Sequence, residues 1–179
     1  MSRRRVTTVF MKNAAIAVRL GGRLLSIDPA LGTNSNIGWA LFEEGELITS
    51  GELTVASKKI GKKLVEIKDK VSALCELYQP RVMVIEKLRG RILHIHLIWA
   101  CGAIVAGGDT VQKFFEVDIQ SWRRLIPEGY VKTDQGDAIW IGRAVYHFGN
   151  IEEQAIESDT PKKAKATRAR RKKVTRKNK

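Results

Sequence analysis

Residues 24–42 read LLSIDPALGTNSNIGWALF, and this stretch decides the fold class of the chain. Two apolar runs, 24–27 and 37–42, are typical of buried strands, and a loop of Pro, Gly, Asn and Ser joins them. The first run ends in a carboxylate, Asp28, which is followed at once by Pro29. A buried carboxylate is costly to desolvate unless a cation or hydrogen bonds compensate it. The stretch therefore raises the question of which group compensates Asp28.

The rest of the chain predicts an α/β fold in which strands come first and then alternate with helices. Further strands are expected at 46–54, 82–85 and 114–118, and helices at 60–78, 92–105 and 134–148, with a turn after the last strand. The first three strands can form an antiparallel meander, whereas the later ones must return parallel through right-handed crossovers. In the compact arrangement the first strand lies centrally, between the second strand and the strand at 82–85.

The predicted helix over 92–105 is apolar nearly all round, so it needs cover on two sides. One side would face the sheet, and the other would face the first helix or a partner subunit. The surrounding apolar stretch is short for a membrane span and contains two His, so we expect no membrane association. Cys75 and Cys101 lie in apolar stretches without further ligands at metal spacing, which indicates reduced core thiols in a cytosolic-type protein.

The positive charge of the chain is concentrated at its C-terminal end. The 179 residues carry a net charge of +13, and the segment 161–179 holds 11 of the 32 Lys and Arg residues with no acid. The other 160 residues carry 21 basic and 19 acidic groups and are nearly neutral. The segment has too few apolar residues for a core, which predicts disorder in the free protein. A nucleic-acid-binding arm is favoured over a merely solubilising tail.

Four acids are expected to meet at one edge of the sheet. Asp28 and Glu86 end the first and fourth strands, and Asp134 and Asp137 share one face of the last helix. Ligands of open α/β sheets bind outside the carboxyl ends of the strands. Converging carboxylates repel one another, and a hard divalent cation such as magnesium relieves that repulsion. Taken singly, Asp134 can be read as a helix N-cap and Asp137 as a first-turn acid that the helix dipole favours.

The segments LLSIDPALG…IGWALF, VMVIEKL and KTDQGDAIWIGRAVYH resemble the three acidic motifs of the RuvC-type Holliday junction resolvases, phage-like branch, in the ribonuclease H-like superfamily. The resemblance implies a mixed five-stranded sheet flanked by helices and a homodimer that acts on branched DNA in recombination and repair. It also implies an endonuclease that uses two magnesium or manganese ions per site and no organic cofactor. By motif position, the catalytic metal ligands would be Asp28, Glu86, Asp134 and Asp137.

With that resemblance, the chain divides into an N-terminal extension over 1–21, a ribonuclease H-like nuclease domain over 22–150 and a basic, disordered tail over 151–179. The first segment is basic without acids, yet it runs straight into the first strand, which favours an extension over a transit peptide. The expected location is the cytoplasm of a bacterial or phage-infected cell, and mitochondrial and nuclear locations stay open.

Basic residues beside the acids are the expected DNA contacts. Where bacterial resolvases carry aromatic residues that probe the junction, this chain has Lys-Leu-Arg-Gly-Arg after Glu86. Ala30 replaces the usual glycine after the Asp-Pro pair, and Trp122 is expected in the core. The expected DNA-binding residues are Lys87, Arg89, Arg91, Arg123, Arg124 and Lys132, the last of which takes the place of the basic residue before the final acid pair.

Three other functions stay open from the sequence. A ribonuclease H-like nuclease can act on another substrate, such as an RNA–DNA hybrid, flap DNA or a transposition intermediate. Half of a sugar-kinase-like or actin-like ATPase also opens with an acid-ended strand, although 179 residues leave no room for the second phosphate-binding domain. A non-catalytic DNA-packaging protein that uses only the tail would leave the four acids unexplained.

Overall fold

The computed structural model describes residues 22–29, 36–88 and 95–158, and from 148 to 158 only the backbone. The expected extension over 1–21, the tail beyond 158, and Ala30, Arg89 and Arg91 lie outside these ranges. The described strands are β1 (Arg23–Asp28), β2 (Asn36–Glu43), β3 (Glu46–Thr54), β4 (Val82–Lys87) and β5 (Lys113–Asp118). The described helices are α1 (Ile60–Tyr78), α2 (Ile95–Gly107), α3 (Ile119–Arg123) and α4 (Asp134–Ser158).

The strands form one five-stranded sheet in the order β3-β2-β1-β4-β5. The pairs β1–β2 and β2–β3 are antiparallel, and the pairs β1–β4 and β4–β5 are parallel. Helix α1 connects β3 to β4, and α2 connects β4 to β5, as parallel strands require. The predicted mixed sheet with its first strand in the centre is confirmed.

Side chains of β1 alternate between two cores, one on each face of the sheet. Leu25 and Ile27 pack in the core that α1 and α2 cover, together with Ile67 and Ile104. Leu24 belongs to the opposite core, which α4 covers with its own buried side chains. Because side chains of a strand alternate in direction, Ser26 and Asp28 share the α4 face with Leu24. The acid at the end of β1 therefore faces the last helix.

Two elements differ from the sequence-based expectation. The turn expected after β5 is the short helix α3, whose N-cap Asp118 accepts a hydrogen bond from the Gln120 N–H at 2.9 Å. Five residues are too few for apolar periodicity to reveal a helix. Helix α4 continues to Ser158 rather than ending at 148, so it enters the segment expected to be tail. The continuation over 149–158 reads GNIEEQAIES; after Gly149 and Asn150 it consists mostly of good helix formers, and it contains no Pro.

The end of α1 agrees with the expectation that Pro80 stops the helix. Gln79 adopts a left-handed conformation at φ 48° and its N–H bonds to the Cys75 carbonyl, after which Pro80 leads into β4. None of the helices in the described part of the chain is long and apolar enough to cross a lipid bilayer.

Candidate active site

Asp28 and Glu86 stand side by side at the carboxyl ends of the two central parallel strands. The β1–β4 register pairs Ile27 with Ile85. The next residue of each strand, Asp28 and Glu86, therefore points to the opposite face, toward α4. Asp28 is only 5% exposed, and Glu86 is half-buried. The structure thus brings these two expected site residues together.

The start of α4 carries the other two acids and is capped by Thr133. The Gly136 N–H donates to Thr133 Oγ1 at 2.9 Å, and the Asp137 N–H donates to the Thr133 carbonyl at 2.8 Å. The interpretation of Asp134 as the N-cap is therefore wrong, because a threonine side chain already fills that role. Asp137 is 2% exposed, whereas Asp134 is half-buried.

Two hydrogen bonds fix this helix against the sheet. The buried Ser26 hydroxyl lies 2.7 Å from the Ala138 carbonyl oxygen and 3.2 Å from that of Ala40, so it joins β1, β2 and α4. At the first turn of α4, Gln135 Nε2 donates to Ser50 Oγ on β3 at 2.8 Å. Together they determine where the helical acids lie relative to Asp28.

Gly38 allows α4 to begin directly on the sheet. It pairs with Asp28 across the β1–β2 ladder. A Cβ at this position would lie 1.7 Å from the Asp134 carbonyl oxygen, so no other residue fits unless the helix moves. A glycine inside an apolar strand often marks a close backbone approach. The glycine inside the apolar run 37–42 is therefore the feature of the sequence that indicates this close approach.

The four acids influence one another electrostatically. Burial raises the pKa of Asp28 to about 7, and repulsion from Glu86, Asp137 and Asp134 adds to the rise, while Lys132 opposes it. Burial also raises the pKa of Glu86, against the attraction of Arg123. The pKa of Asp134 is raised by burial and then by Glu52 and Asp137. The three acids that raise the pKa of Asp28 are the other acids expected beside it, whereas Glu52, which acts on Asp134, was not expected at the site.

Asp137 is held through both of its carboxylate oxygens. The Tyr130 hydroxyl donates to Oδ1 at 3.1 Å, and Lys132 Nζ lies 3.7 Å from Oδ2. Burial and the Asp137 charge raise the pKa of Tyr130, so its hydroxyl keeps its proton at neutral pH. Lys132 was expected beside this acid pair, whereas Tyr130 was missed, because a tyrosine in a loop carries no distinguishing pattern.

The remaining residues that were expected to bind DNA lie near Glu86, at the end of β4 and after α3. Arg123 is close enough to Glu86 to lower its pKa, and its guanidinium lies 5.4 Å from the centre of the Trp122 ring. Trp122 is buried in the core, as expected. Lys87 Nζ lies 3.6 Å from Glu116 Oε2 on β5, and Arg124 is exposed just after α3.

The four acids are suited to a hard divalent cation because their donors are carboxylate oxygens, but their side chains do not surround a common point. Within 22–29, 36–88 and 95–158, no three Asp, Glu, His or Cys side chains are placed so that they could hold a metal ion. The donors at the site are all carboxylates, and the raised pKa of three of them shows that the cluster resists full ionisation without a counter-charge. Binding a cation would require these side chains to move closer together.

Comparisons with known proteins support the fold. No protein-family model and no curated protein sequence matches the chain. Among solved structures, Thermus thermophilus RuvC in complex with a Holliday junction substrate matches 73% of this chain and 95% of its own at 11% identity and a TM-score of 0.58. T. thermophilus RuvC in a second structure matches 73% of this chain and 96% of its own at 13% identity and a TM-score of 0.56.

A third structure, the yeast mitochondrial Holliday junction resolvase Ydc2, matches 83% of this chain and 99% of its own at 12% identity and a TM-score of 0.49. The two RuvC structures show that the chain has a RuvC-like form of the ribonuclease H-like fold. The fold class expected from the acidic motifs is therefore confirmed.

We expect Asp28→Asn to stabilise the metal-free protein near neutral pH. The folded-state pKa of about 7 exceeds the ordinary 3.8, so this carboxyl favours folding most below about pH 4 and loses that contribution as the pH rises through about 7. At pH 8 the variant should exceed the wild type in free energy of unfolding by about 4 kcal/mol, and at pH 4 the two should be similar.

The measurement is a series of thermal melts from pH 4 to pH 8 in the presence of a chelator. Asp69→Asn, an exposed acid-to-amide change on α1, is the matched control and should leave the pH dependence of the wild type unchanged. Parallel pH dependences for wild type and Asp28→Asn would contradict the assignment of a raised pKa to Asp28.

Proposed function

We propose that the chain is a metal-dependent endonuclease that resolves four-way or otherwise branched DNA. The observation that carries the proposal is the meeting of Asp28, Glu86, Asp134 and Asp137 at the carboxyl ends of the central strands. Support also comes from the fold, which is similar to that of RuvC in complex with a Holliday junction substrate. A fold alone does not define a function, so the acid cluster carries more weight than the likeness.

In the proposed reaction, the four acids would hold magnesium or manganese, two ions per site. Such ions, when bound, supply positive charge at the scissile phosphate and promote in-line attack of water without a covalent enzyme intermediate. The rigid strands β1 and β4 fix Asp28 and Glu86, whereas the capped start of α4 fixes Asp137. Burial of Asp28 and Asp137 keeps bulk water away from these carboxylates.

Two cations beside the acids are suited to the DNA backbone. Lys132 is exposed while its amine lies near Asp137, so it can contact a phosphate oxygen next to the acid cluster. Arg123 is exposed and close to Glu86. We propose that these two residues, with Lys87, Arg89, Arg91 and Arg124, bind the phosphates that flank the cleavage point.

A gel assay with Asp137→Asn tests the proposed activity. In magnesium, the wild type should nick a four-way junction at symmetric positions and leave a linear duplex intact. The variant should lose nicking by about 1,000-fold or more, because an amide cannot replace the negative charge of a ligand. Its affinity for the junction, measured in chelator, should change by less than about threefold.

The same gel includes a flap and an RNA–DNA hybrid, which separates junction cleavage from the alternative of a related nuclease with another substrate. Asp69→Asn serves as the acid-to-amide control on α1, outside the cluster. Full nicking by Asp137→Asn, or nicking that persists in chelator, would remove the basis of the assignment. Preferential cleavage of the hybrid or of the flap would favour the alternative substrate.

We propose that a second copy of the chain covers one face of α2. Ile95, Ile98, Trp99 and Val105 follow the spacing of a single helix face, and each is between 41% and 55% exposed. The opposite side of α2 packs Ala100 and Ile104 into the core. A homodimer would also present two active sites related by a twofold axis, which suits the symmetric cuts of a four-way junction.

Ile98→Asp is expected to convert the dimer into a monomer, because a charge would be buried at the centre of the proposed interface. Light scattering after size-exclusion chromatography measures the mass. Ile48→Asp places the same charge at an exposed position of the edge strand β3 and should stay dimeric. If Ile98→Asp keeps the mass of the wild type, this face of α2 is not the interface.

Deleting 161–179 should weaken junction binding and flatten its salt dependence. Each Lys or Arg that contacts a phosphate contributes a slope of about 0.9 to the logarithmic dependence of affinity on salt, and the segment contains 11 such residues. Fluorescence anisotropy at several NaCl concentrations measures the slope. A full-length variant with Gln in place of these 11 residues controls for length and should behave like the deletion. An unchanged slope would show that the segment does not contact DNA.

A further inference from the structure

Tyr130 lies in the loop between α3 and α4 and directly contacts one of the proposed catalytic acids. Its hydroxyl donates to Asp137 Oδ1 at 3.1 Å and lies 3.5 Å from the Thr133 carbonyl oxygen. We propose that Tyr130 is a positioning residue, which holds the Asp137 side chain in the orientation that faces the acid cluster. The inference rests on the proposed function and adds a residue that none of the acidic motifs contains.

The Tyr130 hydroxyl occupies the space beside Gly136 that a side chain would otherwise fill. A Cβ at Gly136 would lie 2.1 Å from the Tyr130 oxygen, so the hydroxyl fits only because residue 136 has no side chain. The ring of Tyr130 also packs edge-on against Trp140, with 6.4 Å between ring centres. In addition, the Tyr130 N–H bonds to the Pro127 carbonyl at 3.3 Å. Tyr130 is therefore fixed at its backbone, ring and hydroxyl.

The Tyr130 hydroxyl opposes the attraction of Lys132 for the same carboxylate. Lys132 approaches the other oxygen of Asp137 at 3.7 Å, but its long side chain is largely exposed. Without the tyrosine hydroxyl, Oδ1 of Asp137 loses this hydrogen bond, and the attraction of Lys132 for Oδ2 is no longer balanced. Hydrogen-bonding partners of ligating carboxylates typically change metal affinity or activity by about 10–100-fold. Tyr130 is therefore expected to tune metal binding rather than contact with DNA.

The test compares Tyr130→Phe with the wild type as full-length proteins. Isothermal titration calorimetry with Mn²⁺, without DNA, should show that the variant binds Mn²⁺ about 10–100-fold more weakly than the wild type. In nicking assays, the magnesium concentration for half-maximal rate should rise by a similar factor, whereas the junction affinity in chelator should stay within about twofold. A merely structural role would lower the melting temperature and the junction affinity together, which the Mn²⁺ titration separates.

Tyr78→Phe is the matched control, because Tyr78 stacks against Trp39 on the opposite face of the sheet. It should bind Mn²⁺ as the wild type does. Gly136→Ala is a second variant that keeps the hydroxyl but displaces it, and it should weaken Mn²⁺ binding at least as much as Tyr130→Phe. The same Cβ would lie 2.8 Å from the Thr133 hydroxyl that caps α4, so the melting temperature of this variant is measured beside its Mn²⁺ affinity.

The outcomes separate this inference from the proposed function. Suppose that the wild type binds Mn²⁺ and nicks junctions. If the Mn²⁺ affinities of Tyr130→Phe and Gly136→Ala then lie within twofold of the wild-type value, Tyr130 does not position Asp137. If the wild type neither binds Mn²⁺ nor nicks branched DNA, the proposed function fails and the role of Tyr130 fails with it. Weakened Mn²⁺ binding in both variants, with unchanged junction affinity, supports the inference.

Discussion

The hydrogen bond from the Ser26 hydroxyl to the Ala138 carbonyl joins the central strand to helix α4 across 112 positions of sequence. A buried hydroxyl that loses its partner is left with an uncompensated desolvation cost, so this contact favours one position of the helix. Asp28 follows Ser26 by two residues on the same face of β1, and Asp137 precedes Ala138. The separation of strand and helical acids therefore depends on this contact, together with the hydrogen bond from Gln135 to Ser50 and the packing of α4 on the sheet.

Much of the fold was readable from the sequence because apolar patterning reports burial directly. The strands and the central place of β1 follow from short apolar runs and from the rule that α-connected strands return parallel. The acids were found for a similar reason, since Asp28 and Glu86 interrupt buried strands at their ends. Such interruptions are visible without any knowledge of tertiary contacts.

The remaining features of the site depend on distances between elements that are remote in sequence. Gly38 and Gly136 matter because of what lies opposite the missing side chain, and Tyr130 matters through one hydroxyl. Apolar periodicity records which residues are buried but not how closely two elements approach. The Thr133 cap was likewise hidden by two neighbouring acids that fit the same local rule.

The question posed by Asp28 has an answer in the balance of charges around it. Within the protein itself, burial and three other acids oppose its ionisation, and Lys132 offsets only part of that effect. The cluster is thus held together by packing and hydrogen bonds in spite of its own repulsion. Groups whose pKa is strongly raised by burial and by like charges cluster at functional sites, where an external charge can compensate them.

The arrangement of the acids depends on the absence of a side chain at Gly38. Any side chain at this position must push the first turn of α4 off the sheet, whereas the core on the opposite face of the sheet contains no residue of α4 and would keep its contacts. One codon change would therefore separate the acids without altering any of them. Such a variant would keep every carboxylate of the proposed site and lose the arrangement on which the proposed cleavage depends, so the site is as sensitive to a residue without a side chain as it is to its acids.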